Sequence, residues 1–145
     1  MILLIILCLL NISRNSSRKT VIVTGGNRGI GFKAVEKLAE TGEWNVIIAS
    51  RDLNLAEKAR NNIKIGKEYC EVQKLDLASI DDVNRFCKEW KAQKRPLHVI
   101  ACNAGVQFSS GSKNPIPKFT KDEFEATVGI LYLFYFKYLS RNQIV

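Results

Sequence analysis

Only one histidine, His98, occurs in the 145 residues, and the four cysteines, Cys8, Cys70, Cys87 and Cys102, form no C-x-x-C pair. A zinc site made of Cys and His ligands is therefore excluded, and no metal ligands are expected. The cysteines are also too sparse for a disulfide framework and read as buried, reduced thiols. Neither an internal repeat nor a low-complexity tract is present. No apolar run reaches the length of a membrane span. The nearest to one, Met1–Ile12, would extend only about 18 Å as a helix, against a hydrocarbon core of roughly 30 Å. It has no basic residue ahead of it, as a signal peptide would, but Arg14, Arg18 and Lys19 follow it. Residues 1–19 are read as an apolar targeting or anchoring segment with a basic flank, giving membrane association through residues 1–12. A short anchor, a signal-peptide core and a mis-started reading frame all stay open as its origin.

What is present is an ordinary globular balance. With 46% hydrophobic and 25% charged residues, the chain can bury a core and is long enough for one domain, so disorder is excluded. The net charge of +8 raises the question of nucleic acid. The lysines and arginines are spread over helical stretches rather than gathered into a stripe, so no nucleic-acid partner is expected. A solvated basic surface, with a few cations serving an anionic cofactor, accounts for the charge.

From Thr20 onward, short apolar runs alternate with amphipathic stretches, the pattern of βαβ units. Strands are expected at Thr20–Thr24, Val46–Ala49, Tyr69–Leu75 and Leu97–Cys102. A helix over Ile30–Glu40 places Ile30, Ala34 and Leu38 on one face, with Gly42 as its stop. A second, Leu53–Ile63, turns Leu55, Ala56, Ala59 and Ile63 inward. Ser79 and Asp82 form a capping pair for a third, with Val83, Phe86, Cys87 and Trp90 at helical spacing. After a polar loop, Val106–Phe119, the pair Thr120 and Glu123 marks another helix start. Near-continuously apolar strands separated by helices mean a Rossmann-type, doubly wound parallel sheet in the α/β class.

The most informative stretch is Thr24-Gly25-Gly26-Asn27-Arg28-Gly29-Ile30-Gly31, lying between a strand and an amphipathic helix. Gly25 permits a tight turn, Gly29 lets backbone approach a pyrophosphate, and Gly31 lets the helix pack on the strand. The helix then opening offers unpaired N–H groups and a partial positive charge to phosphates. The end of the second strand discriminates between cofactors. An NAD site places a carboxylate there, about twenty residues on, for the ribose 2′-hydroxyl. This chain has Ser50-Arg51 instead, where a guanidinium can meet a 2′-phosphate, and Arg28 can reach the same group. Asp52 has two readings, a ribose partner or the start of the next helix, and its place beyond the strand end suits the second. NADP(H) is the expected cofactor.

The glycine turn, Asp76-Leu77 after the third strand and Asn103-Ala104-Gly105 after the fourth resemble the short-chain dehydrogenase/reductase family in order and spacing, from about Thr20 to Gly129. Leu38-Ala39-Glu40-Thr41-Gly42, Arg51-Asp52-Leu53 and Leu75-Asp76-Leu77-Ala78-Ser79 are most similar to its light-dependent protochlorophyllide reductase and retinol-dehydrogenase-like branch. The resemblance implies a nicotinamide-dependent hydride transfer to or from a carbonyl, an alcohol or a conjugated double bond. It implies that Asp76 and Leu77 lie against the adenine, and that Asn103, Ala104 and Gly105 stabilise the sheet and line the cofactor. Gly25, Asn27, Arg28, Gly29, Ile30, Gly31, Ser50 and Arg51 complete the expected cofactor-binding set. A small lipophilic substrate in a fuller-length form, and a place at the endoplasmic reticulum membrane or in a plastid rather than the cytosol, belong to the same expectation.

The family's catalytic Tyr-x-x-x-Lys pair does not occur in this chain. Four residues after Tyr69, Tyr132, Tyr135 and Tyr138 stand Gln73, Phe136, Leu139 and Asn142. The family's asparagine would fall near Leu131. No catalytic residue is assigned. Residues 20–129 are accordingly expected to be a partial NADP-binding domain, with 130–145 a divergent apolar and aromatic tail, as in a truncated gene model. The fourth strand would then be an exposed apolar edge prone to oligomerise or aggregate. Two other readings stay open: a non-catalytic nucleotide-binding or regulatory protein, and a membrane-associated interaction protein.

Overall fold

A computed structural model describes residues 18–105 and 118–130. The chain divides into two compact units, Met1–Leu75 with Lys94–Asn103, and Asp76–Gln93 with Ala104–Val145.

The first unit holds β1 (Lys19–Thr24), α1 (Gly29–Glu40), β2 (Trp44–Ser50), α2 (Leu53–Asn61), β3 (Cys70–Lys74) and β4 (Val99–Ala101). All pairings are parallel, in the order β3-β2-β1-β4. β1 and β2 are central and buried along almost their whole length, whereas β3, at the edge among the described residues, is buried only at Cys70. This is why the first two read as continuous apolar runs. Val21 and Val23 of β1 share a core with Val46 and Ile48 of β2, Val35 and Ala39 of α1, and Ala56 of α2. Ile22 and Ile47, pointing the opposite way by strand alternation, are fully buried too. After β1, β2 and β3 progress in one direction, β4 returns to the far side of β1. The sheet reverses between β1 and β4, and an open α/β sheet has its crevice beyond the strand ends at such a point.

Several sequence expectations need correction. The inward face of α1 carries Gly31, Val35 and Ala39, while Ile30 is 60% exposed and Ala34 faces solvent. Both sets repeat every four residues, so periodicity could not separate them; the seating of the helix on the sheet did. On α2, Ala56 and Ala59 are inside and Leu55 is half-exposed. The third strand begins one residue later than expected because Lys67–Tyr69 form a 3-10 turn. The fourth is shorter than Leu97–Cys102. At its start the His98 side chain replaces a ladder bond: Nδ1 accepts the N–H of Thr20 at 2.9 Å, and the His98 N–H donates to the Thr20 carbonyl at 3.0 Å. Among the described residues β4 pairs with β1 alone.

The second unit contains α3 (Ile80–Ala92), which buries Val83, Phe86 and Trp90 and leaves Cys87 half-buried. Ser79 caps it as expected, its hydroxyl accepting the Asp82 N–H at 3.4 Å, and Asp82 also serves the turn before it. Its carboxylate accepts the N–H of Asp76 at 2.6 Å and pairs with Arg85 at 3.0 Å. Thr120 and Glu123 do not start a helix. Residues 118–126 instead form a tight hairpin, with an antiparallel bridge between Phe119 and Glu125 and a bond from Ala126 N–H to the Lys118 carbonyl at 2.7 Å. Helical residues begin at Ala126. The Glu125 carboxylate caps them by accepting the N–H groups of Val128 and Thr127, which holds its carboxyl below the ordinary range. The expected anchor segment, most of the polar loop and nearly all of the tail lie outside the described residues. Among the described residues no helix is long and apolar enough to cross a membrane.

Candidate nucleotide-binding site

The site is built where β1 gives way to α1. Gly25 (φ 64°) turns the chain off the strand while its N–H donates to the Ala49 carbonyl at 2.9 Å. Gly29 (φ 56°) opens the helix in the left-handed region, where a side chain would be strained. A Cβ on Gly29 would meet nothing within 4 Å, so its requirement is conformational and its surroundings are open. Arg28 is the N-cap residue in extended conformation. Its side chain caps nothing, and the first turn of α1 holds no acidic residue. α2 and α3 differ. Asp52 caps α2, and Ser79 caps α3 with Asp81 and Asp82 in the first turn. Of α1, α2 and α3, α1 alone thus presents bare N–H groups and an uncompensated dipole, behind a glycine turn at the sheet's reversal.

Asn103 holds this turn from below. Its N–H donates to Thr24 Oγ1 at 3.1 Å, and Nδ2 donates to the Thr24 and Gly25 carbonyls at 3.1 and 3.4 Å. Thr24 Oγ1 in turn donates to the Ala101 carbonyl at 3.3 Å. A Cβ on Gly31 would collide with Asn103 Nδ2 and lie 2.6 Å from the Gly25 carbonyl. Gly31 therefore makes room for the asparagine, a more specific role than helix-on-strand packing. Thr24, whose hydroxyl links the strand ends, was missed as a site residue. A nearly fully buried hydroxyl at the last strand position before the first glycine is the signal that marks it.

At the end of β2, Ser50 Oγ donates to the Asp52 carbonyl at 3.2 Å and accepts the Asp52 N–H at 3.3 Å, shaping the turn. The Asp52 carboxylate points back into α2 and accepts the Leu55 N–H at 3.0 Å, as the helix-start reading expects. Arg51 and Arg28 are exposed and make no hydrogen bond or ion pair among the described residues. Asn27 is half-buried and Ile30 projects outward. Burial pushes the Cys70 thiol up to about 11 and that of Cys102 above its ordinary value, leaving both protonated and inert.

Asp76, Leu77, Ala104 and Gly105 fall in the second unit. There Asp76 Oδ1 accepts the Ala78 N–H at 3.1 Å, and Oδ2 lies 3.2 Å from Lys121 Nζ. Leu77 is buried, Ala104 half-buried and Gly105 exposed.

A parallel sheet in this order, with helices after each inner strand and a glycine turn at its reversal, is an incomplete Rossmann-type nucleotide-binding fold. The chain belongs to the short chain dehydrogenase family, whose model matches residues 19–138. The match continues past Gly129, where the resemblance had been expected to break. The chain is 41% identical to the chloroplastic protochlorophyllide reductase of Daucus carota, over 81% of its own length and 29% of the relative's. It thus spans under a third of the length of that curated relative. An uncharacterised protein of Mycobacterium paratuberculosis is similar in structure, with TM-score 0.64 and 30% identity, covering 83% of this chain and 40% of the other. Menthone neomenthol reductase from Mentha piperita is similar at TM-score 0.55 and 31% identity, covering 63% and 33%. The family binds nicotinamide cofactors.

Proposed function

We propose that this chain binds NADP(H) and forms the cofactor-holding part of a reductase that transfers a hydride between the nicotinamide and a lipophilic substrate. The observation that carries the choice of NADP(H) is at the end of β2. The only carboxylate there is turned into the helix as a cap, while the neighbouring Arg51 guanidinium is exposed and without a partner among the described residues. One Asp52 oxygen is already taken by the helix cap, whereas a 2′-phosphate would find a free bidentate donor in Arg51. Gly25 to Gly31 would receive the pyrophosphate on the bare terminus of α1, with Arg28 beside it. Asp76 and Leu77 would meet the adenine, and Asn103, Ala104 and Gly105 would line the cofactor, as the family resemblance implies.

The likeness to protochlorophyllide reductases named as chloroplastic supports a plastid location and a conjugated double bond as the reduced group. Membrane association through residues 1–12 and self-association through the outer edge of β4 belong to the same reading. Proton transfer is assigned to no residue, since no tyrosine here is followed four places later by lysine.

The test is binding of reduced cofactor, followed by nicotinamide fluorescence. Arg51→Asp should weaken NADPH by roughly tenfold or more and leave NADH little changed, because a charge-assisted bidentate contact is worth about 1.5–3 kcal/mol. Equal losses for both cofactors would sink the 2′-phosphate assignment.

A further inference from the structure

We propose that Lys121 and Asp122 are positioning residues for the adenine end of the nucleotide, acting through the turn at Asp76–Ile80. The inference rests on the cofactor reading above and adds to it a device that holds the base-recognising carboxylate in place. All the groups involved lie within the second unit.

The turn joining β3 to α3 is tied locally by the Asp82 carboxylate, which accepts the Asp76 N–H at 2.6 Å, but the first turn of α3 is only loosely capped by its own sequence. The Ser79 cap bond to the Asp82 N–H is long, at 3.4 Å. The shorter bond to the start of α3 comes from forty-two residues along the chain, where Asp122 Oδ2 accepts the Ile80 N–H at 2.6 Å. Next to it, the Lys121 N–H donates to the Ala78 carbonyl at 3.0 Å, and Lys121 Nζ lies 3.2 Å from Asp76 Oδ2. Two adjacent residues therefore fix the backbone at positions 78 and 80 and the carboxylate at 76.

Presenting both residues to one turn requires a sharply bent tip. The Thr120 N–H donates to the Phe124 carbonyl at 2.8 Å, and the buried Thr120 hydroxyl accepts the Phe124 N–H at 3.1 Å. Between them Glu123 sits at φ 64°, in the left-handed region that a side chain disfavours. Such a conformation persists where surrounding contacts over-determine it.

The chemistry follows from what remains free on Asp76. Oδ1 accepts the Ala78 N–H and Oδ2 faces Lys121, so both carboxylate oxygens are oriented by a partner. Each oxygen still has acceptor capacity. A carboxylate held in this way suits the exocyclic amine of a 6-aminopurine, which donates, and disfavours the exocyclic oxygen that a 6-oxopurine puts in the same place, which accepts.

The test compares NADPH with its reduced hypoxanthine analogue on the full chain, in the wild type and in Asp122→Ala, Asp122→Asn and Lys121→Met. Wild type should prefer NADPH by about tenfold or more, the range of one hydrogen bond to a charged group. Asp122→Ala and Lys121→Met should bring the ratio toward one. Asp122→Asn, whose amide oxygen still accepts the Ile80 N–H, should keep it. The ratio reports only folded, binding-competent molecules, so a loss of fold does not imitate the effect. Should Asp122→Ala fail to fold, Lys121→Met carries the test, because the Lys121 side chain is 70% exposed and its loss opens no cavity. Variants that keep the wild-type ratio would overturn the proposal, as would an Asn variant as impaired as the Ala variant. A wild type that binds NADPH without preferring it refutes the positioning role and leaves the cofactor reading standing. No NADPH binding at all refutes both.

Discussion

Replacing Gly31 with alanine sets two effects against each other. Helix propensity alone favours alanine by up to about 1 kcal/mol. Against it stands the space a Cβ would need, already held by the Asn103 amide and by the Gly25 carbonyl at 2.6 Å. Forcing a methyl into a packed site costs typically about 1–3 kcal/mol. Pushing Asn103 aside also breaks its bonds to the Thr24 and Gly25 carbonyls, each worth about 1 kcal/mol. The net expectation is a loss of about 2–4 kcal/mol, a drop in thermal midpoint of roughly 5–15 °C for a chain of this size. A double-mutant cycle with Asn103→Ala separates the causes. With the amide gone, Gly31→Ala should cost at least about 1 kcal/mol less than in wild type, since residues in contact couple on that scale. Strict additivity of the two substitutions, or a rise in midpoint for Gly31→Ala, would refute the idea that Gly31 exists to seat Asn103.

Three further outcomes follow. Asp52→Ala should lower stability by about 1 kcal/mol, the worth of an N-cap, and leave the NADPH-to-NADH affinity ratio unchanged; a shifted ratio would restore Asp52 as a ribose partner. Glu123→Gly should raise the melting temperature, because glycine removes a left-handed penalty of about 1–2 kcal/mol at φ 64°; a lowered midpoint would show that the Glu123 side chain contributes more than its backbone costs. Cys70 favours the protonated form in the fold, with its pKa raised from 9.0 to about 11 by burial. Its contribution is therefore fully present below pH 9 and lost as pH rises through about 11. Chemical denaturation across that window should show a steeper fall for wild type than for Cys70→Ala, and parallel curves would contradict the burial effect.

The existence of β1–β4 and α1–α3, the parallel α/β class and the glycine turn were legible in the residues, because they depend on local periodicity and on glycine's freedom at Gly25 and Gly29. Element ends were less so: Leu97 and Cys102 read as strand, yet β4 pairs only over Val99–Ala101. The expected face of α1 was one position off, since Ile30, Ala34 and Leu38 repeat at the same interval as the buried Gly31, Val35 and Ala39. The pairing of Thr120 with Glu123 misled for a related reason. The same residue types that cap a helix also close a turn, and only the bond from Thr120 N–H to the Phe124 carbonyl distinguishes them.

By itself, then, the sequence determined that a strand would run into a glycine turn and a helix, with an arginine rather than a carboxylate first after the second strand. Those are properties of neighbouring residues, fixed by backbone sterics and side-chain chemistry. Tertiary structure decided the rest. It set the order β3-β2-β1-β4, which brings Asn103 beneath a turn seventy-eight residues earlier. It also decided that Asp52 caps α2 while Arg51 stays exposed, and that Lys121 and Asp122 fasten a turn more than forty residues before them. These are hydrogen bonds whose partners exist only once distant segments are brought together, so no local pattern could encode them.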